Sequence, residues 1–188
     1  MTCELILGGA RSGKSRLAER TAAASALPVT VIATAEALDP EMAARIERHR
    51  ADRPAVWRTV EASRGLAETL QRECAVERCV VVDCLTMWLA NLMTGAAHLE
   101  APHDADTLTE LVAEREALQA ALPALPGRII LVSNEVGLGL VPETPLGRLF
   151  RDEAEMGEKR AGRGQASIVK ARVEQGERLP DLRGARRP

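Results

Sequence analysis

Gly8-Gly9-Ala10-Arg11-Ser12-Gly13-Lys14-Ser15 fits the spacing G-x-x-x-x-G-K-[ST] and follows the apolar run Leu5-Ile6-Leu7. A short strand that breaks into a glycine-rich loop and reopens as a helix is the context a phosphate-binding loop needs. The glycines let successive backbone N–H groups turn inward around an anion. In that arrangement the Lys14 ammonium reaches the β- and γ-phosphates and the Ser15 hydroxyl ligates Mg²⁺. The helix opening near Lys14 aims its positive end at the same anion. The stretch predicts a nucleoside triphosphate site at the start of the chain.

Downstream, β-rich runs alternate with helical spacing. Val29–Ala33 reads as a second strand. Asp39-Pro40-Glu41 then opens a helix, with Asp as N-cap, Pro at the first helical position and an acid in the first turn. That helix ends near Asp52, because Pro54 disfavours helical geometry at Arg53. Val56–Val60 alternates as a strand would, and Ser63 is placed to cap a short helix carrying Leu66, Leu70 and Cys74. Cys79–Val82 and Ile129–Val132 are continuous apolar runs, the pattern of strands covered on both faces. Thr86–Met93 reads as an apolar helix, 95–104 as a polar loop, and Thr107-x-x-Glu110 as a capping box opening a helix that reaches Leu122. The alternation predicts an α/β fold of the P-loop NTPase kind: a RecA-like, mainly parallel sheet flanked by helices in a single domain. Ligands then sit beyond the carboxyl ends of the strands.

Composition narrows the classes. At 188 residues the chain suits one domain, and its 46% hydrophobic content includes one Phe, two Trp and no Tyr, so the core must be aliphatic. A net charge of −2 gives no global field toward nucleic acid or membrane. Glu4 and Arg11 interrupt any secretory leader, and no apolar run approaches the roughly 18 residues of a membrane span. Cys3, Cys74, Cys79 and Cys84 show no metal-like spacing with histidine and read as small hydrophobes in a reducing, cytoplasmic setting.

Among the residues that carry chemistry, Asp83 closes the Cys79–Val82 strand, the usual place for the acid that partners a phosphate loop and holds Mg²⁺. His49 shares a helix face with Met42 and Ile46, while Glu41, Arg45, Arg48 and Asp52 form the charged face. Spacing alone favours a boundary histidine over a nucleophile. His98 and His103, in the polar loop, read as surface residues. Ser133-Asn134-Glu135-Val136-Gly137 follows a buried strand at a ligand-facing position. The guanine-reading Asn-Lys-x-Asp of regulatory GTPases is missing. Residues 136–145 read as a mobile loop, and Glu135 and Glu143 are open candidates for acid–base work.

Four blocks together resemble the bifunctional adenosylcobinamide kinase / adenosylcobinamide-phosphate guanylyltransferase family. They are Gly8 to Ser15; Ile32-Ala33-Thr34-Ala35 with Asp39 to Ile46; His49 through Arg53-Pro54 and Trp57-Arg58-Thr59 to Glu61; and Ser133 to Glu143. The resemblance runs from residue 5 to about Ala154. It implies two reactions. ATP or GTP phosphorylates adenosylcobinamide, and a histidine then takes GMP from GTP and passes it to adenosylcobinamide phosphate. The family's guanylylated histidine maps onto His49, in place of the boundary reading, with Lys14 as the other catalytic residue. The implied nucleotide contacts are Gly8, Gly9, Ala10, Arg11, Ser12, Gly13, Lys14, Ser15, Ala33, Thr34, Ala35, Arg50, Ala51, Asp52, Arg53, Glu61 and Asp83, with Mg²⁺ on Ser15 and Asp83. The resemblance further implies a homotrimer, with the corrinoid in an open cleft shared between subunits. A monofunctional small-molecule kinase is the alternative.

The resemblance fades at the carboxyl end. Residues 1–154 read as the catalytic domain and 155–188 as a weakly ordered Arg/Gly-rich tail, with ten Lys/Arg and seven Asp/Glu from Arg151 onward. The family's Asn-Gln helix and final valine-rich strand are not recognisable there, so a missing sheet strand is expected. Without aromatics between its charges, the tail reads as solvated rather than RNA-binding.

Overall fold

A computed structural model describes residues 2–94, 105–136, 142–144, 146–154 and 166–170. Its elements are β1 (Thr2–Gly8), α1 (Lys14–Ala23), β2 (Val29–Ala33), α2 (Pro40–Ala51), β3 (Arg58–Glu61), α3 (Leu66–Glu73), β4 (Cys79–Asp83), α4 (Leu85–Thr94), α5 (Ala105–Ala121) and β5 (Arg128–Asn134). A helix over 146–154, here α6, and strand β6 (Ala166–Lys170) follow. The strands form one parallel sheet in the order β3-β2-β4-β5-β1-β6. The α/β expectation holds.

The continuous apolar strands are explained by the layers around them. Successive side chains of a strand point to opposite faces. Leu5, Leu7, Ile32, Val80, Val82, Ile129 and Leu131 meet helices α3, α4 and α5 on one face. Ile6, Val31, Val81, Ile130 and Val132 meet α1 through Ala18 and Ala22 on the other. The core is aliphatic apart from Trp88, 4% exposed on α4. The four cysteines are free thiols, three of them buried. Burial pushes Cys3 and Cys74 up to about 11, so both stay protonated near neutrality.

Several local expectations shift. β3 begins at Arg58 rather than Val56, because the turn in which the Trp57 N–H donates to the Pro54 carbonyl (2.9 Å) holds Val56 out, 90% exposed. Ser63 does not cap α3. Gly65 takes the N-cap in a left-handed conformation (φ 58), and its N–H donates to Glu114 on α5 at 2.9 Å. Thr107 lies inside α5, which starts at Ala105. β6 pairs parallel with β1, from Cys3↔Ala166 to Leu7↔Lys170, so the stretch expected to lack a strand supplies one. The polar loop 95–104 with His98 and His103, the block 137–141, and the tail outside β6 lie beyond the described residues. Among the described residues no helix is long and apolar enough to cross a membrane.

Register brings the strand ends together. Ala33 pairs with both Glu61 and Asp83, Asp83 pairs with Val132, and Gly8 pairs with Asn134. The carboxyl ends of five strands therefore share one rim.

Candidate active site

The glycine-rich loop leaves β1 at that rim. The Ser12 N–H donates to the Gly9 carbonyl (3.3 Å), and the Glu135 N–H donates to the Gly8 carbonyl (3.1 Å), which ties the loop to the end of β5. Gly13 sits at the α1 N-cap with φ 79 and no side-chain cap. The first-turn N–H groups of α1 are thus left for an anion. Arg11 also has positive φ (57), a conformation that costs a side-chain-bearing residue about 1–2 kcal/mol. The Lys14 ammonium folds back and donates to the Gly9 carbonyl at 3.2 Å. Its pKa is lowered mainly by burial. Cys84 and Asp83 counter that shift, and Arg45 adds to it.

Asp83 stands at the end of β4. The Ser15 hydroxyl donates to its Oδ1 (3.3 Å), and Arg53 donates to its Oδ2 (3.4 Å). The Arg53 side chain is 8% exposed and also lies 3.9 Å from Glu19 on α1. Its Nε is buried without a hydrogen-bond partner. Burial raises the pKa of Glu19, with Arg53 pulling the other way. Thr34 is fully buried. Its hydroxyl donates to the Cys84 carbonyl (2.7 Å) and accepts from the Cys84 N–H (2.8 Å), and Asn91 donates to its carbonyl (2.7 Å). Thr34 therefore braces the β2 and β4 ends rather than facing a ligand.

α2 starts as its sequence dictates: Asp39 accepts from the Met42 N–H (2.7 Å), with Pro40 first in the helix. None of its residues is buried. Near its end, Arg50 pairs with Glu47 (3.1 Å) and with Glu61 on β3 (2.6 Å). Between α2 and the loop lies a cavity of about 560 Å³. It is lined by Ala10, Lys14, Ser15, Ala33, Ala35, His49, Arg50, Arg53, Glu61 and Asp83 among the expected residues. Gly8, Gly9, Arg11, Ser12 and Gly13 form the loop behind it, and Ala51 and Asp52 are exposed away from it. His49 is half-buried, and its face with Met42 and Ile46 is a cavity wall, not a core contact.

Sequence reasoning missed Arg45, Thr86 and Phe150, which line the same cavity. The sequence places Arg45 on the charged face of the helix, although it stands four residues before His49, a spacing that shares a face. Thr86 accepts from the Asn134 N–H (2.7 Å) and so fixes the β5 end, where Asn134 and Glu135 also reach the cavity. Nothing in the local pattern singles out Phe150 on α6. The set joins an anion-binding loop, a hydroxyl–carboxylate pair, a row of guanidinium groups and an imidazole in one nucleotide-sized space.

The family model described as "Cobinamide kinase / cobinamide phosphate guanyltransferase" matches residues 4–169. The bifunctional adenosylcobalamin biosynthesis protein CobP of Pseudomonas aeruginosa is 57% identical over 151 residues, covering 80% of this chain and 82% of that protein. The bifunctional adenosylcobalamin biosynthesis proteins CobU of Escherichia coli and Salmonella typhimurium are 43% and 42% identical over 153 residues, each covering 80% of this chain and 84% of the relative. With a loop, a strand-end acid and a helix-borne histidine around one cavity, and with these matches over most of its length, the chain belongs to the cobinamide kinase / cobinamide phosphate guanyltransferase family.

Proposed function

We propose that this chain phosphorylates adenosylcobinamide with ATP or GTP. It then transfers GMP from GTP to adenosylcobinamide phosphate through a guanylylated His49, giving adenosylcobinamide-GDP. The observation that carries this reading is that Lys14, at the start of α1, and His49, on α2, line one cavity. A triphosphate held by the loop amides presents its terminal phosphorus to an acceptor hydroxyl, and its innermost phosphorus to a helix above it.

Phosphoryl transfer depends mainly on positioning and charge neutralisation. Lys14 and the α1 N-terminus neutralise the outer phosphates. Arg53 and Arg50 stand where bidentate donors can steady the phosphate being moved. Ser15 and Asp83 suit Mg²⁺. One hydroxyl and one carboxylate, both hard oxygen donors, meet at 3.3 Å, and among the described residues no group of three or more His, Cys, Asp or Glu side chains is placed to hold an ion. That sparse set fits a cation whose remaining positions are filled by substrate phosphates and water. When bound, Mg²⁺ supplies charge neutralisation at the phosphate oxygens. His49 supplies an imidazole nitrogen as nucleophile, which splits nucleotidyl transfer into two steps.

A cavity of about 560 Å³ suits a nucleotide and leaves no room for a corrin ring. We further infer, from the family resemblance, that the acceptor approaches from the open side, in a cleft shared with a neighbouring subunit of a homotrimer. The test is incubation with GTP labelled at the α-phosphate. Acid-labile, alkali-stable label appears on the wild-type protein and vanishes in His49→Ala. Kinase turnover without any label leaves only the monofunctional kinase reading.

A further inference from the structure

Arg45 stands one helical turn before His49 on α2, about 6 Å nearer the amino end along the axis. Both line the cavity that Lys14 also lines from the start of α1. The other α2-side guanidinium groups at this cavity already have carboxylates: Arg50 has Glu47 and Glu61, and Arg53 has Asp83 and Glu19. Among the described residues no carboxylate pairs with Arg45. Its charge is felt at Lys14, where it disfavours the ammonium form. Lys14 donates to the Gly9 carbonyl, while the carboxylate that acts on it, Asp83, is shared with Ser15 and Arg53; a polyanion in the cavity can bridge the two cations.

Resting on the guanylyl-transfer reading above, we propose that Arg45 clamps the β- and γ-phosphates from the α2 side and takes up the pyrophosphate leaving group together with Lys14. The helix then runs parallel to the triphosphate, with Arg45 over the outer phosphates and His49 over the inner one. In the step it serves, an imidazole nitrogen of His49 forms a bond to the α-phosphorus. The bond from that phosphorus to its bridging oxygen breaks, the electron pair leaves with pyrophosphate, and the second ring nitrogen keeps its proton. The negative charge gathering on the departing oxygen is met by the Arg45 guanidinium, which donates through a planar fork suited to phosphate.

The experiment separates the two half-reactions. Labelling of His49 by α-labelled GTP is timed in the wild type, Arg45→Ala and Arg45→Lys. Release of the label is then followed from pre-labelled protein, with pyrophosphate in one arm and adenosylcobinamide phosphate in the other. Arg45→Ala slows labelling about a hundredfold, as expected for loss of a donor at developing charge. It also raises the pyrophosphate concentration for half-release about tenfold, slows the pyrophosphate arm far more than the acceptor arm, and is partly rescued by Lys. Wild-type labelling rates in Arg45→Ala, or equal slowing of both release arms, overturn the clamp. Failure of the wild-type protein to label at all overturns guanylyl transfer itself.

Discussion

Helices α2 and α3 flank β3 in the chain and are built to opposite specifications. α3 has eight residues and buries Leu66, Ala67, Thr69, Leu70 and Glu73. α2 has twelve and buries none. Even the carboxylate buried on α3, Glu73, is matched by Arg58, Arg72 and Arg78 at 2.8, 3.3 and 3.7 Å. The contacts that hold α2 are polar and sit at its ends: the Asp39 cap, Arg50 on Glu61, and Arg53, just past the helix, on Asp83. α3 is fixed by apolar burial, which does not depend on a ligand. α2 is held in part by charge pairs, Arg50–Glu61 and Arg53–Asp83, whose members line the cavity. The helix that borders the cavity is anchored by exchangeable polar contacts; the helix that seals the core is anchored by apolar ones.

The contrast is open to direct attack. Leu70→Ala, at a fully buried α3 position, lowers unfolding stability by about 3 kcal/mol in urea denaturation. A loss near zero would remove the claim that α3 seals the core. Asp39→Ala removes the α2 cap and costs about 1 kcal/mol, read as faster amide exchange concentrated within α2. Exchange rising equally in α3 would show the two helices opening as one unit. Ile46→Ala deletes an apolar group that faces the cavity, and changes global stability by no more than about 0.5 kcal/mol. A loss as large as that of Leu70→Ala would show that α2 contributes to the core after all.

The parts legible in the sequence are those set by local chemistry. The loop from Gly8 to Ser15, the capped start at Asp39-Pro40, the apolar strands and the acid ending β4 each follow from neighbours in the chain. What was not legible depends on partners far away. The N-cap at Gly65 rests on Glu114 from α5, a partner the Ser63 pattern does not contain. Thr34 follows a strand, as a ligand contact would, but Cys84 and Asn91 have taken its polar groups. β6 is a short run, Ala-Ser-Ile-Val-Lys, whose pairing comes from the edge of β1 and not from a strong strand signal of its own. His49 illustrates the limit of periodicity: its face is apolar, but that face borders a cavity. A 3.6-residue repeat reports which side is apolar, not what lies against it.

One consequence follows from the scarcity of aromatics. With no Tyr, near-ultraviolet emission comes almost wholly from two indoles. Trp88 is sunk in the α4 core, its ring N–H without a hydrogen-bond partner. Trp57 is half-buried in the turn between α2 and β3, against the sheet face that α1 covers. The molecule thus carries two built-in fluorophores, one reporting whether the core is intact and one reporting the seat of the histidine-bearing helix. Replacing either by Phe gives an optical signal that follows nucleotide docking separately from unfolding.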